Sequence, residues 1–361
     1  MRIFVDTDCL YTAKTGVRTY VIELVRALKN GGHEVIELRR NPNSFFVKNQ
    51  LKYKLLLHIG RILWTQFIIP LKLFNVRKKG DFLISPEYFT PYVSPVPNLL
   101  TIHDAVFVTR QDDYSSLFKW TLKIIAWPSA RRASKILTVS EDAKEQISDK
   151  LNIEKGKIEV TYLGVKPFGL KVSKVEKFEN EEFFLYVGVL EKRKNIPKSI
   201  EAFSEIKKKN PNVKFFIVGQ PAPFPHLDDT TTIKSLIKDL NMQDSVVLLG
   251  YVTDEELSAL YHNALALVFI STYEGFGLPI IEGYSAGIPV LTSQGGATEE
   301  VAGGCSLLCN PNDVRDISEK MQKLIEDPEL RRSLVDKGKE RAKLFTWEKM
   351  SQKIIKVIQE L

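Results

Sequence analysis

The sequence predicts two doubly wound α/β domains, and three observations carry this. Short apolar runs alternate with helix-length segments, as parallel sheets covered on both faces require. The alternation runs once before a polar break at Tyr162–Glu182 and once after it. The chain has 361 residues, enough for two domains that each bury a core.

In the first half, strands are expected at Ile3–Val5, Val35–Leu38, Phe82–Ile84, Leu99–Ile102, Ile136–Val139 and Ile158–Val160. Helical patterns fall at Val17–Lys29, Lys52–Phe74, Ser115–Arg132 and Asp142–Lys150. Ser140, followed by Asp142 and Glu145, suits a helix start, where side-chain oxygens meet free N–H groups. In the second half, strands are expected at Phe183–Val187, Val213–Val218, Val246–Leu248, Ala266–Ile270 and Pro289–Thr292. Helices are expected near Pro197–Lys209, Thr232–Leu240, Asp254–Asn263 and Pro279–Ala286. The tail Asp313–Leu361 reads as helical throughout, interrupted at Phe345–Trp347.

Hydrophobic residues at 44% and charged residues at 26% exclude a disordered, fibrous or disulfide-scaffold protein. Three cysteines fit a reducing compartment, and Cys305-x3-Cys309 lacks the second pair a zinc site needs. The opening Met1–Asp6 reads as a strand, not as a secretory signal. Charge is uneven. Residues 1–165 carry 25 Lys/Arg against 16 Asp/Glu, net +9, while the remainder carries 26 against 28, net −2. Between Arg39 and Gly80 stand ten basic residues and no acidic one. The longest uncharged run there, Ile62–Leu71, has ten residues and contains Pro70, against the roughly 20 a spanning helix needs. Two readings of this segment stand: a helix packed on the sheet with a solvated basic edge, or one lying on an anionic surface. Nucleic acid is not expected, because no binding signature accompanies the charge.

Ligands of parallel sheets bind at the strands' carboxyl ends. Those ends present Asp6-Thr7-Asp8 and the Gly16 helix start, His103-Asp104, Gly188 with Glu191–Asn195, Gly219-Gln220, and Ser271–Pro279. In Glu274–Glu282, Gly275 and Gly277 let backbone approach a ligand, and Pro279 suits the first helical turn. The new helix can aim its N–H groups at an anion. Glu282 can accept hydrogen bonds from vicinal hydroxyls, and Glu274 from sugar hydroxyls. Equally, both carboxylates can satisfy the helix's own N–H groups. Arg193 and Lys194 can clamp a diphosphate or merely decorate a solvated turn. Metal is not expected. The five histidines lack metal-ligand spacing, and Asp6-x-Asp8 is a short motif that strand-end aspartates produce by capping turns.

Glu274-Gly275-Phe276-Gly277-Leu278-Pro279-Ile280-Ile281-Glu282 resembles the Glu-x7-Glu signature of retaining glycosyltransferase family 4. Gly188-x4-Arg193-Lys194-Asn195 resembles that family's donor-phosphate stretch, and Gly16-Val17-x-x-Tyr20 its glycine loop. Thr101-Ile102-His103-Asp104 and Thr138-Val139-Ser140 match first-domain signposts, so the likeness runs in order over the whole chain. The branch it resembles is the mannosyl- and rhamnosyltransferases of bacterial O-antigen and capsule synthesis. The resemblance implies a GT-B architecture. Its parts would be an acceptor domain at 1–165, a nucleotide-sugar domain at 166–344, and a helix at 345–361 crossing back to the first. It implies that Arg193 and Lys194 hold the donor diphosphate, with Gly16, Gly188 and Leu278 backbone close by. Glu282 would hold the ribose. Glu274 and Gly275-Phe276-Gly277 would hold the donor sugar. His103 would face the reacting carbon, with Asp104 beside the acceptor. Catalysis would rest on His103, Glu274, Arg193 and Lys194, with a nucleotide-diphospho-sugar as co-substrate and no metal or other cofactor. Many members carry arginine right after the glycine matching Gly188. Val189 stands there instead, so Arg193 would supply that charge. The expected donor is GDP-mannose and the expected acceptor a polyprenyl-diphosphate-linked glycan. The expected location is cytoplasmic, at the inner face of the cytoplasmic membrane. A non-catalytic nucleotide-sugar-binding scaffold and a nucleotide-sugar epimerase are the alternatives.

Overall fold

The computed structural model describes residues 1–11, 16–40, 59–109, 122–165 and 181–361. Residues 52–58 and 115–121, assigned above to helices, and most of the 162–182 break lie outside the described residues. The chain forms two compact units. Unit 1 comprises Met1–Leu163 and Trp347–Leu361, and unit 2 comprises Gly164–Thr346.

Unit 1 holds a six-stranded sheet of order β2-β1-β3-β4-β5-β6. Its strands are β1 Arg2–Asp6, β2 Glu34–Leu38, β3 Asp81–Ser85, β4 Asn98–Thr101, β5 Lys135–Thr138 and β6 Ile158–Val160. Unit 2 holds a second six-stranded sheet, β12-β11-β10-β7-β8-β9. Its strands are β7 Phe183–Val187, β8 Lys214–Val218, β9 Val246–Gly250, β10 Ala266–Phe269, β11 Val290–Ser293 and β12 Leu307–Cys309. Every pairing is parallel. Helices on both faces explain why these strands read as unbroken apolar runs. In β7 the side chains of Phe183, Phe184, Leu185 and Tyr186 are all buried, as are all four of β10. Each such side chain contributes roughly 1.5–3 kcal/mol by leaving water.

Several local expectations hold. Ser140 accepts a hydrogen bond from Ala143 N at 3.0 Å and caps Glu141–Leu151. The last helix, Trp347–Gln359, buries Met350, Ile354, Val357 and Ile358 and packs on the helix Gly16–Asn30 of unit 1. The tail, however, is not continuous before that break. Asp327 ends Val314–Glu326, and its carboxylate caps Pro328–Ala342 through Leu330 N. β12 escaped the sequence reading because three residues carry no periodicity. The helix Gly296–Ala302 escaped it because its start is two glycines. The pattern drawn through Pro70 is not a plain α-helix: Trp64–Ile68 is a π-turn, closed by Ile69 N on Trp64 O. Leu122–Ala126 is a second π-turn, and Pro128 stands two residues beyond it as Pro70 stands beyond the first. Proline lacks an N–H and crowds the preceding turn, and the wider turn accommodates it.

At the carboxyl end of unit 2's sheet, β7 and β8 run into each other's backbone. Gly188 N donates to Val218 O at 2.9 Å, and a Cβ built on Gly219 would stand 1.8 Å from Gly188 O. Backbone on backbone has no side chain to move aside. Gly219→Ala is expected to destabilise by about 3 kcal/mol, lowering the thermal midpoint by roughly 6–12 °C. Gly156→Ala, whose Cβ meets ordinary contact, should change it little in the same calorimetric scan.

Candidate active site

β7 lies between β8 and β10, so the chain's crossovers leave it on opposite faces of the sheet. A crevice opens at the carboxyl ends where strand order reverses, and the loops after β7 and β10 meet there. Thr272 N donates to Arg193 O at 2.8 Å, and Thr272 Oγ1 donates to the same oxygen at 3.1 Å.

Lys192–Lys194 is one 3₁₀ turn, ended by Asn195 at φ 57, ψ 30. Asparagine tolerates this left-handed conformation better than most residues. Its Nδ2 donates to Pro311 O at 2.7 Å, which anchors the turn. Arg193 and Lys194 are thereby presented to the β10 loop. Arg193 Nη1 donates to Glu274 Oε2 at 2.7 Å and to Tyr273 O at 3.1 Å, while its Nε donates to Glu191 Oε2 at 2.7 Å. Lys194 Nζ donates to Glu274 Oε1 and lies 5.0 Å from the centre of the Phe269 ring. Lys194 and Glu274 are both buried. A solvated turn is therefore excluded for the cation pair.

Electrostatics follow from this burial. Desolvation pushes the Glu274 carboxyl up, but Arg193 and Lys194 outweigh it and hold it at about 2. Lys194 is lowered from the ordinary lysine range, first by burial and then by the like charge of Arg193. Glu282, in the helix Leu278–Ala286, is raised by burial against the opposing hydrogen bond from Tyr261. Tyr261 Oη donates to Glu282 Oε2 at 2.7 Å. Gly277 precedes that helix at φ 101, ψ 56, and no side chain caps its first turn. Neither carboxylate serves the helix's own N–H groups: Glu274 binds the cations and Glu282 binds Tyr261. The backbone of Gly275, Phe276, Gly277 and Leu278 lies between them, with the Phe276 ring edge-on to Phe345 at 5.6 Å.

Unit 1 has its own strand reversal, between β1 and β3. At their ends Asp8 takes Arg40 bidentately, at 2.8 and 2.6 Å, and Asp6 meets Arg61 at 2.8 Å and Trp64 Nε1 at 3.1 Å. Burial raises Asp8 but Arg40 and Arg61 outweigh it, so the carboxyl is lowered. The Asp6-x-Asp8 pair is thus neither a turn cap alone nor a free ligand pair, being taken up by two arginines. After β4, His103 Nε2 donates to Pro86 O at 3.1 Å, leaving Nδ1 as an acceptor. Tyr20 packs edge-on at 4.7 Å, and burial lowers the His103 pKa against the pull of Asp104. Asp104 Oδ1 accepts from Val106 N and Tyr88 Oη, both at 3.2 Å. Gly16 is the exposed first residue of its helix, and residues 12–15 before it lie outside the described residues.

Arg193, Lys194 and Glu274, chosen from separate strand ends, are thus in direct contact. Gly188 belongs to the same strand end. Tyr261 and Phe269 were not found from sequence. Tyr261 sits in a helix 21 residues before Glu282, and no spacing rule links the two. Phe269 reads simply as a buried strand residue.

The buried charge gives a pH signature. A carboxyl held near 2 stabilises the fold fully above its ordinary value of 4.5, and that stabilisation is lost as pH falls from 4.5 toward 2. Glu274→Gln should therefore lower the neutral-pH stability of unit 2 by about 3 kcal/mol, since it leaves buried Lys194 without its carboxylate and takes one of two from Arg193. The gap from the parent should shrink as pH falls through that window, measured by denaturant titration at a series of pH values.

Residues 170–341 match the family of glycosyl transferases group 1, and residues 14–167 match glycosyltransferase family 4. The O-antigen chain mannosyltransferase B of Escherichia coli is 28% identical over 387 residues, covering 98% of both chains. The O-antigen chain mannosyltransferase RfbU of Salmonella typhimurium strain LT2 is 32% identical over 216 residues, 59% of this chain and 57% of that one. Among solved structures, sucrose-phosphate synthase from Thermosynechococcus elongatus superposes with a TM-score of 0.76 at 19% identity, over 99% of this chain and 98% of that one. A TM-score of that size at 19% identity shows a shared fold. With both halves matched in order, this chain belongs to glycosyltransferase family 4, the retaining hexosyltransferases of the GT-B fold.

Proposed function

We propose that this enzyme transfers mannose from GDP-mannose to a polyprenyl-diphosphate-linked glycan during surface-polysaccharide assembly. The observation that carries the donor half is the pair of half-buried Arg193 and buried Lys194, fixed at the β7/β10 crevice near a helix start that no side chain caps. Two fixed cations and the Leu278 N–H at that helix start make a site for a diphosphate. The mannosyl and O-antigen parts rest on the names of the relatives above.

In this reading the diphosphate competes with Glu274 for Lys194 and Arg193. Its charge offsets the desolvation that lowers the Lys194 ammonium. The Glu274 carboxylate then turns to the hexose hydroxyls, with Gly275, Phe276 and Gly277 allowing close backbone approach. Leu278 N–H and the backbone at Gly188 and Gly16 serve the phosphates. Glu282, oriented by Tyr261, accepts the two ribose hydroxyls. His103, with Nδ1 available, accepts from a donor-sugar hydroxyl, and Asp104 serves the acceptor. As the bond from the anomeric carbon to the donor phosphate breaks, Arg193 and Lys194 stabilise charge on the leaving diphosphate. The acceptor oxygen bonds to the same face of that carbon, and the leaving phosphate oxygen takes its proton. No step calls on a metal.

A thermal-shift panel with GDP, UDP, ADP and dTDP, with and without magnesium, tests the donor assignment. GDP alone is expected to stabilise, by about 2.7 kcal/mol at 100 times its Kd. Glu282→Ala should weaken GDP by roughly tenfold and erase the preference for GDP over 2′-deoxy-GDP, because the lost bonds are those to the ribose diol. Stabilisation by no nucleotide, or an unchanged preference in the variant, defeats the assignment. Donor conversion without any acceptor would make the chain an epimerase instead.

Lys194 gives the second test. Nucleotide binding needs its ammonium charged, and its pKa lies below the ordinary lysine value of 10.5. Affinity by calorimetry should therefore decline at a lower alkaline pH than an ordinary lysine would impose. Lys194→Arg, which stays charged, should flatten that decline.

A further inference from the structure

The loop after β3, residues 86–97, is held by both π-turns of unit 1. From the first, in the helical segment 59–76, Gln66 donates to Thr90 O at 3.1 Å and accepts from Tyr92 N at 2.9 Å. Tyr92 Oη donates to Ile124 O, in the second, at 2.7 Å. Thr90 N donates to Ser129 Oγ at 3.0 Å. The start of the loop is tied to the end of β4, since Pro86 O accepts from His103 Nε2 at 3.1 Å and Tyr88 Oη donates to Asp104 Oδ1 at 3.2 Å. Glu87 stands between Pro86 and Tyr88. Its position is therefore set by bonds that do not involve its own side chain.

Its carboxylate faces an arginine that it does not reach. Arg61, with a side chain 11% exposed, meets Asp6 Oδ2 through Nη1 at 2.8 Å and Asp8 Oδ2 at 3.4 Å. Its Nη2 stops 3.8 Å from Glu87 Oε2, beyond hydrogen-bond distance. Both Nη2 and Nε are buried and make no hydrogen bond among the described residues. Buried guanidinium groups are ordinarily paired, so two open N–H positions here need a partner. The neighbouring carboxylates are already taken, Asp8 by Arg40 and Asp6 by Arg61 and Trp64. Glu87, with a side chain 25% exposed, has no cation nearer than that 3.8 Å among the described residues. Burial pushes its carboxyl up, and Asp6 and Asp8 add to the push against the pull of Arg61. At neutral pH this carboxylate thus opposes folding.

An oxygen about 2.8 Å from each atom would close the gap between Arg61 Nη2 and Glu87 Oε2. It must accept from the guanidinium and donate to the carboxylate. A hydroxyl does both, whereas an ionised phosphate or carboxylate has no proton to give and would be repelled by Glu87. The pair lies at the carboxyl ends of β1 and β3, beside His103 and Asp104, where ligands of a parallel sheet bind.

We infer that Glu87 and Arg61 hold a hydroxyl of the acceptor sugar, Arg61 donating to it and Glu87 accepting from it. The inference rests on the transferase reading above and names the residues that select the acceptor. Neither residue takes part in a covalent step.

Ligand-observed NMR of the full chain tests it, with methyl α-mannoside, methyl α-rhamnoside and methyl β-N-acetylglucosaminide, each with and without GDP. At least one glycoside is expected to bind. Glu87→Gln should weaken it by about tenfold, because a neutral amide holds a hydroxyl less strongly than a carboxylate. Among the monodeoxy forms of that glycoside, one should bind parent and variant equally, since it lacks the hydroxyl concerned. The thermal midpoint of Glu87→Gln at neutral pH should be no lower than the parent's, whereas a residue kept for an ion pair with Arg61 would lower it. No glycoside bound by the parent, equal binding by the variant, no indifferent deoxy form, or a lowered midpoint each overturns the inference, leaving the pair to enclose a water or serve the fold. A parent that binds the glycoside through Glu87 but is not stabilised by GDP defeats the donor assignment and leaves the glycoside subsite standing.

Discussion

One carboxylate, Glu274, binds two cations in the interior of unit 2, and the local geometry depends on that arrangement. Arg193 and Lys194 come from the loop after β7, and Glu274 from the loop after β10. Burying any one of these charges alone would be prohibitive, while together they tie the two loops at a fixed spacing. Glu191 gives Arg193 a second carboxylate, so two positive and two negative groups meet at one crevice. A neutral cluster of this kind is stable without ligand. It also remains responsive, because an entering dianion can replace a carboxylate as the cations' partner without stranding either charge. The Arg193 guanidinium has a further hydrogen bond to Tyr273 O, so its position does not rest on the carboxylates alone.

Unit 1 uses the same physics at its own strand reversal. Asp6, Asp8, Arg40, Arg61 and Glu87 gather at the ends of β1, β2 and β3, and Arg61 reaches both Asp6 and Glu87. Burial raises Glu87, against the pull of Arg61, whereas Asp8, gripped by two arginine nitrogens, is lowered. Asp8 has the close bidentate contact with Arg40, while Glu87 is 3.8 Å from Arg61 and is dominated by desolvation. This network also fixes the start of the 59–76 helix, since Arg61 and Trp64 both bond Asp6.

The strands were legible because a parallel sheet buries both faces, so that Phe183–Val187 and Ala266–Phe269 leave no polar alternation to obscure them. Loops after those strands were legible for the same reason: once a strand is placed, its carboxyl end is placed. The contact of Lys194 with Glu274 was not, because it depends on β7 and β10 being neighbours, which is a matter of strand order rather than of either segment. Tyr261 was invisible on the same ground. Its hydroxyl earns a role only when its helix packs beside Leu278–Ala286, and nothing within Asp254–Asn263 announces that. The π-turns before Pro70 and Pro128 were hidden because a helical apolar pattern survives one widened turn. Asp6 and Asp8 show the opposite failure: a recognisable spacing whose partners, Arg40 and Arg61, stand 32 and 53 residues from Asp8.

Net charge needed structure most of all. The excess of +9 in residues 1–165 treats every cation alike, yet among the described residues some are cancelled within the fold and others are not. Arg2, Arg40 and Arg61 are largely buried and bound to Asp81, Asp8 and Asp6, so their fields are cancelled within the unit. Lys72, Arg77, Lys78, Lys79 and Arg132 are exposed and border apolar surface. The second set projects a field that an outside partner can feel. It borders exposed Phe67, Leu71 and Phe74, so charge and apolar area share one side of the unit. Neither composition nor periodicity can establish that coincidence, since both treat the two faces of the 59–76 helix as equivalent.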